Sequence, residues 1–473
     1  MLFPTATFAI FFTVTYGVHL LTRHHQRVWL AMMLAASGVF YAWWNPAALV
    51  IVGVTALANH YGALFITRLD GNARRWALRV GVAANLGVLG YFKYAEFFVT
   101  SFVAGAERGG IALPIAAVQV ALPIGLSFMT FHTISYLVDT ERGEVEPSTD
   151  VLETALYLLF FPKIIAGPIM RVDDFFHQVR HDDAHPPLVP AVAFGLIAGG
   201  LFKKMILSDT LAGGLISPVA AAPGDYGGGD VALMLVALPL RIYCDFSAYS
   251  DIATGVAMLF GIQLPKNFRR PFSATTMFEF WGRWHVTLYK WLRDYVFVTL
   301  RGPHSTTYRL LTAAVATHII SGLWHGAAWR FVAWGALQGV VLGTEGALRL
   351  RRIHQRRRRA LRTPLRHVAG ISYTYTVFAV LGVLFAVGSV GDGITVLGGL
   401  GRWSPPTLLT PAIAACLVGA ACPHLIPTWV GPAAAMRFSA LHPVVQGVTL
   451  AVGVAAMRAV AAPGVAPFLY FQF

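Results

Sequence analysis

The chain has 473 residues, of which 56% are hydrophobic and only 12% charged, with a mean hydropathy of +0.62. That excludes an ordinary water-soluble domain, in which about a quarter of the residues are charged. The net charge of +14 is densest in one arginine run, Arg349, Arg351, Arg352, Arg356, Arg357, Arg358, Arg359, Arg362 and Arg366, between two apolar stretches; this is positive-inside chemistry facing anionic membrane lipids, and it argues against a nucleic-acid partner.

Apolar stretches recur from end to end and predict about eleven to thirteen crossings of roughly 20 residues each. No polar linker divides them, so residues 1–473 read as one all-α polytopic membrane domain. The first crossing, 4–21, has Arg23, His24, His25 and Arg27 just behind it. Without a basic segment before it or a small-residue cleavage site, it reads as a retained helix with its N-terminus outside the cytoplasm. Crossings at 28–43, 47–66 and 78–99 follow, with Arg68, Arg74, Arg75 and Arg79 clustered on the next cytoplasmic side. Beyond the arginine run, crossings at 370–390, 408–422 and 443–461 bring the C-terminus outside as well.

The middle of the chain is less regular. Pro123 and Gly125 interrupt one apolar stretch, and FFPKIIAGPIMR, residues 160–171, suits a re-entrant segment better than a crossing helix. Lys163 and Arg171 flank that turn and are expected to anchor it at the headgroups. Segment 278–302, FEFWGRWHVTLYKWLRDYVFVTLRG, interleaves aromatic residues with charge. It predicts an amphipathic helix lying along an interface or lining a cavity. Its Trp281, Arg283, Trp284 and His285 are candidate site residues. A second cluster, SGLWHGAAW, residues 321–329, places Trp324 and His325 within an apolar run where an ionisable group needs a partner or a function. Gly322, Gly326, Ala327 and Ala328 remove bulk around it, for a substrate or for close helix approach. Asp245, Asp251, Asn267, Arg269 and Arg270 read mainly as structural pairing, with Asp245 also a candidate tunnel-lining residue. Cys244, Cys416 and Cys422 have no CxxC spacing, and His24, His25, His181 and His185 share no ligand spacing, so no metal is implied.

FWGRWHVTLYKWLRDY and SGLWHGAAWRFVAWG resemble the two signature stretches of the membrane-bound O-acyltransferase family, in the bacterial branch that includes alginate O-acetyltransferase and the teichoic acid D-alanyl transferase subunit. YCDFSAYSDIATGVAMLFGIQLPKNFRRPF, FFPKIIAGPIMR and the terminal FLYFQF add to the likeness, which runs over about 122–342, the expected catalytic core, and returns in the aromatic tail 468–473. Tyr289, Lys290 and Gln338 depart from the branch pattern. The resemblance implies a bowl-like helical bundle whose thinned centre holds a tunnel between a cytoplasmic donor and an external acceptor, in a bacterial inner membrane. It makes His325 the near-invariant histidine and His285 the second active-site position. It also makes Tyr470 a possible acyl relay.

Transfer of an acyl group to an alcohol needs a base for the hydroxyl proton, because a sugar hydroxyl is a weak nucleophile at neutral pH. His325 is the expected base, with His285 orienting or donating to the thioester carbonyl as an oxyanion develops, although the residues alone do not separate these roles. Acetyl-CoA is the expected donor, since an arginine-rich cytoplasmic face suits its phosphates. The expected outcome is O-acetylation of an extracytoplasmic polysaccharide, with a periplasmic acetyltransferase- or esterase-like partner collecting the group. The alternatives are D-alanyl transfer to a cell-wall polymer or, in a different class, a transporter or flippase of lipid-linked glycan, which would not need paired histidines.

Overall fold

The computed structural model describes residues 1–115, 121–180, 189–303, 306–354, 363–427, 429–461 and 468–469, with the backbone alone at 351–354 and 432. Among these residues every regular element is helical. Six helices are long and apolar enough to cross a bilayer, Pro46–Thr67, Pro190–Ala221, Gly228–Leu259, Trp329–Leu350, Pro364–Ala386 and Pro443–Val460, and Ala6–Thr22 and Pro411–Leu425 are shorter apolar helices. The chain divides into two compact units, Met1–Leu188 with Val256–Pro265, and Val189–Gly255 with Lys266–Phe473.

In the first unit, helices α1 (Ala6–Thr22), α2 (Gln26–Ala42) and α3 (Pro46–Thr67) stand where the apolar pattern places them. Their starts are chemically marked. The Thr5 side chain accepts from the Phe8 N–H, and Asn45 accepts from Ala48 N–H just ahead of a first-turn proline. The crossing expected at 78–99 is different: α4 (Gly71–Leu89) starts earlier, a π turn occupies Gly90–Tyr94, and α5 (Ala95–Arg108) continues. Arg74, Arg75 and Arg79 therefore lie on the helix rather than before it. Arg74 donates to the Thr140 carbonyl at 2.8 Å, while Asn59 and Asn85 exchange amide bonds of 3.0 and 2.9 Å between α3 and α4.

Helices α6 (Leu126–Arg142), α7 (Val151–Leu159) and α8 (Val172–Arg180) frame the Pro–Gly segment. Between α7 and α8 the chain makes successive turns instead of a helix, as its proline and glycine predict. Such backbone survives at membrane depth only inside protein, and Phe160, Phe161 and Lys163 are 0% exposed. Ser37 Oγ accepts from Phe161 N–H at 3.1 Å, and Tyr157 Oη donates to the Met170 carbonyl at 3.0 Å. The headgroup position expected for Lys163 is corrected: its ammonium lies 4.2 Å from the centre of the Tyr157 ring, within the buried turn. Arg171 is partly exposed and pairs with Asp139 at 3.7 Å.

In the second unit, α9 (Pro190–Ala221) carries π turns at Lys203–Ser208 and Ala212–Ile216. Helix α10 (Gly228–Leu259) belongs to this unit as far as residue 255. Lys203 pairs with Asp251 at 2.7 Å, and Lys204 lies 2.8 Å from Asp209 and 2.9 Å from Asp245. Segment 278–302 is not one amphipathic helix. It divides into α11 (Met277–Trp281), a four-residue break, α12 (Val286–Trp291), a π turn at Leu292–Phe297 and a last turn, Val298–Arg301.

The apolar run around His325 is a hairpin of α13 (Thr307–His325) and α14 (Trp329–His354). Glycines let the two helices touch. A Cβ on Gly322 would lie 2.1 Å from the Phe331 carbonyl oxygen, one on Gly335 2.2 Å from the His318 carbonyl, and one on Gly339 2.5 Å from Val315 Cα. Gly322→Ala should therefore force these backbones apart and destabilise the protein by roughly 1–3 kcal/mol. Thermal unfolding in detergent should show a lower midpoint, and an unchanged midpoint would contradict this packing. Helix α15 (Pro364–Ala386) packs on α14. In the arginine run, Arg356, Arg357, Arg358, Arg359 and Arg362 lie outside the described residues.

Candidate active site

His325 is the last residue of α13, and Gly326 ends the helix in extended backbone at φ −168° and ψ 149°. The imidazole is 8% exposed and is held among rings. Trp334 and Phe385 meet it edge-to-face with centroids 5.3 and 5.0 Å away, and Trp324 lies at 4.8 Å. It lines a cavity of about 30 Å³ together with Trp281, Trp284, Trp334, Phe378 and Phe385, and with Ile242, Gly382 and Leu469. That volume holds about two waters. His325 is the titratable side chain among those lining residues.

His285 occupies the break between α11 and α12 and is 1% exposed. Its φ of 41° and ψ of 51° are left-handed, a conformation that costs a non-glycine residue of order 1–3 kcal/mol and persists only where surroundings impose it. Phe246 packs edge-to-face on the ring at 4.6 Å, and the centroid of the Trp324 ring, itself 4.8 Å from that of His325, lies 6.0 Å away. The two histidines thus share one tryptophan as a ring neighbour. His285 Nδ1 is 3.1 Å from Asn267 Oδ1.

The sequence from 146 to 388, which contains both histidines and most of these rings, matches the model of MBOAT, the membrane-bound O-acyltransferase family. The chain belongs to that family. It is similar to the probable alginate O-acetylase AlgI of Azotobacter vinelandii, 37% identical over 67% of this chain and 64% of that protein, and to that of Pseudomonas putida, 34% identical over 74% and 72%. It also resembles the peptidoglycan O-acetyltransferase of Helicobacter pylori, 31% identical over 68% of this chain and 64% of that protein. The aligned stretches thus span about two-thirds of these relatives' lengths. The family's description is one of acyltransferases.

The structure brings together some of the site residues expected from the motifs and separates others. Trp281 and Trp284 line the cavity with His325, and Trp324 joins the histidines. Arg283 does not line it. Its guanidinium donates to Ser273 Oγ and Glu279 Oε1, both at 2.6 Å, and fixes the turn after α11. Asp245 is 0% exposed and does not line the cavity either. It accepts from Lys204 and Ser208 and, at 2.7 Å, from the Leu469 N–H, so it ties the tail to α10. Tyr470 lies outside the described residues. Phe378 and Phe385 were not legible as site residues, since an aromatic in an apolar helix carries no signal beyond packing, while Trp334 and Leu469 lie inside the motif stretches 321–335 and 468–473 without being singled out there. Among the described residues no group of three or more histidine, cysteine or acidic side chains gathers as a metal site.

Proposed function

We propose that the protein moves an acetyl group from acetyl-CoA on the cytoplasmic side of a bacterial inner membrane to the hydroxyls of an extracytoplasmic polysaccharide, with His325 and His285 carrying the transfer. The reading rests above all on His325, a buried imidazole lining a ring-walled cavity with the second motif histidine one tryptophan away. The hydroxyl oxygen bonds to the acyl carbon, the C–S bond breaks, and the proton passes through a histidine to the departing sulfur. One imidazole serves as acceptor while the other meets the oxyanion. Trp281 Nε1 adds a donor: it is buried, has no hydrogen-bond partner among the described residues and belongs to a cavity-lining side chain, so a substrate oxygen can satisfy it.

Acetyl is favoured over D-alanyl because three relatives named above, two named probable alginate O-acetylase and one named peptidoglycan O-acetyltransferase, match over more of the chain than the teichoic acid D-alanyltransferase of Streptococcus thermophilus, which matches over 46%. Proteoliposomes supplied with acetyl-labelled acetyl-CoA should release CoA and transfer label to a polysaccharide on the opposite side. Turnover with a D-alanyl carrier thioester and none with acetyl-CoA would assign the other donor. The arginine run is read as cytoplasmic and both termini as external, and a periplasmic acetyltransferase-like partner is proposed to receive the group.

Tyr470 is proposed as the relay. Leu469, one residue before it, lines the His325 cavity, and a phenol ester is a better acyl donor than a sugar ester, so onward transfer is downhill. Tyr470→Phe keeps the ring and removes only the oxygen. Polymer acetylation in cells should fall at least about tenfold, the lower end of what loss of a direct nucleophile costs. Wild-type acetylation by this variant would make Tyr470 an anchor.

A further inference from the structure

Asn267 precedes the break at His285 by 18 residues yet is bound to it throughout. Val286 N–H donates to the Asn267 carbonyl at 3.0 Å, and Arg269 N–H to the Arg283 carbonyl at 2.8 Å. Inside this clasp the Asn267 side chain, 3% exposed, presents one atom to three groups: Thr287 N at 3.2 Å, Thr287 Oγ1 at 2.9 Å and His285 Nδ1 at 3.1 Å.

The backbone N–H of Thr287 can only donate, so the shared atom is the amide oxygen and not its NH₂. The Asn267 amide nitrogen is directed instead toward Ser250 Oγ, at 3.5 Å. An amide oxygen has no hydrogen to give. The short contact to His285 Nδ1 is therefore a bond that the ring donates, and Nδ1 carries the proton. In the neutral ring the lone pair is then on Nε2.

We propose that Asn267 is a positioning residue that holds His285 in the Nδ1–H tautomer, so that His285 Nε2 is the acceptor of the substrate hydroxyl's proton. This rests on the acyl-transfer reading above and reverses the role that the motifs gave His285, because a ring with its proton on Nδ1 has no Nε2–H to offer a thioester carbonyl. In the step this supports, the proton leaves the hydroxyl for His285 Nε2 as the oxygen bonds to the acyl carbon. The C–S bond breaks, and His285 returns the proton to the thiolate. His325 is left to act on the acyl group.

The decisive measurement is nitrogen NMR on the full-length protein in detergent, labelled with ¹⁵N-histidine, with the His285 signal assigned by its loss in His285→Gln. Wild type should show the Nδ1–H tautomer at His285. Asn267→Leu should shift it to Nε2–H or to an averaged signal, and should lower kcat roughly 10²- to 10⁴-fold, the scale that a wrong tautomer costs a catalytic histidine. The KM for acetyl-CoA should stay within about twofold, since donor binding is untouched. Asn267→Asp keeps an oxygen against Nδ1 and should recover most of the lost rate. An Nε2–H signal in wild type, or an unchanged tautomer in Asn267→Leu, overturns the proposal. Should Asn267→Leu fail to fold, the wild-type tautomer decides alone. If wild type transfers no acyl group from any thioester, the functional reading fails while the tautomer result stands.

Discussion

Replacing His325 by alanine is expected to lower acyl transfer by about 10³-fold or more while the protein still inserts, purifies and elutes as wild type. A proton-transfer or oxyanion group alone is worth roughly 10²- to 10⁴-fold, and His325 is the titratable group lining the cavity. Its neighbours set the cost to the fold. Trp324, Trp334 and Phe385 surround the ring with apolar contacts, so truncation enlarges a cavity already present and costs about 2–3 kcal/mol, less than global stability. Activity should therefore fall far more than the unfolding midpoint. Thioester turnover in proteoliposomes, read beside thermal unfolding in detergent, separates the two. Near wild-type transfer by His325→Ala would remove His325 from the chemistry and the proposed function with it.

The second large effect is structural. Asp245→Ala should destabilise the second unit by about 3–5 kcal/mol, the cost of breaking a fully buried pair. The Asp245 side chain is 0% exposed and that of Lys204 is 1% exposed. One carboxylate oxygen holds Lys204 at 2.9 Å, and the other accepts from Leu469 N–H at 2.7 Å. After truncation Lys204 keeps Asp209, 2.8 Å from the ammonium, and the Leu469 N–H loses the carboxylate it donates to. Asp251→Ala is the contrast. That side chain is 39% exposed, so its bond to Lys203 is screened by its surroundings and should cost about 1 kcal/mol or less. The midpoint should drop well below wild type for the first variant and stay close to it for the second. Because Leu469 lines the His325 cavity, Asp245→Ala should also lose transfer at temperatures where it remains folded. Equal midpoints for the two variants would show that the tail is not tied through Asp245.

What the sequence determined by itself follows from local and compositional physics. Too little charge to face water, apolar runs of bilayer length and cap residues such as Thr5 and Asn45 determine a helical membrane protein and place α1 to α3 to within a few residues. Two costly histidines in aromatic, glycine-rich settings mark the candidate site. What only the tertiary structure decided depends on which distant segments meet. Segment 278–302 breaks at His285 because Asn267, Val286 and Thr287 clasp there and impose a left-handed residue, whereas alternation of aromatic and charged residues describes an unbroken helix equally well. Lys163 lies against Tyr157 rather than at a headgroup, since a lysine's stem and ammonium follow the fold around them and not their sequence neighbours. Phe378, Phe385 and Leu469 reach His325 from 53, 60 and 144 residues away, and an apolar side chain carries no local mark of the partner it will meet. The Asn267 amide oxygen that faces His285 Nδ1 also meets the N–H and hydroxyl of Thr287, a geometry that exists only when the chain has closed on itself.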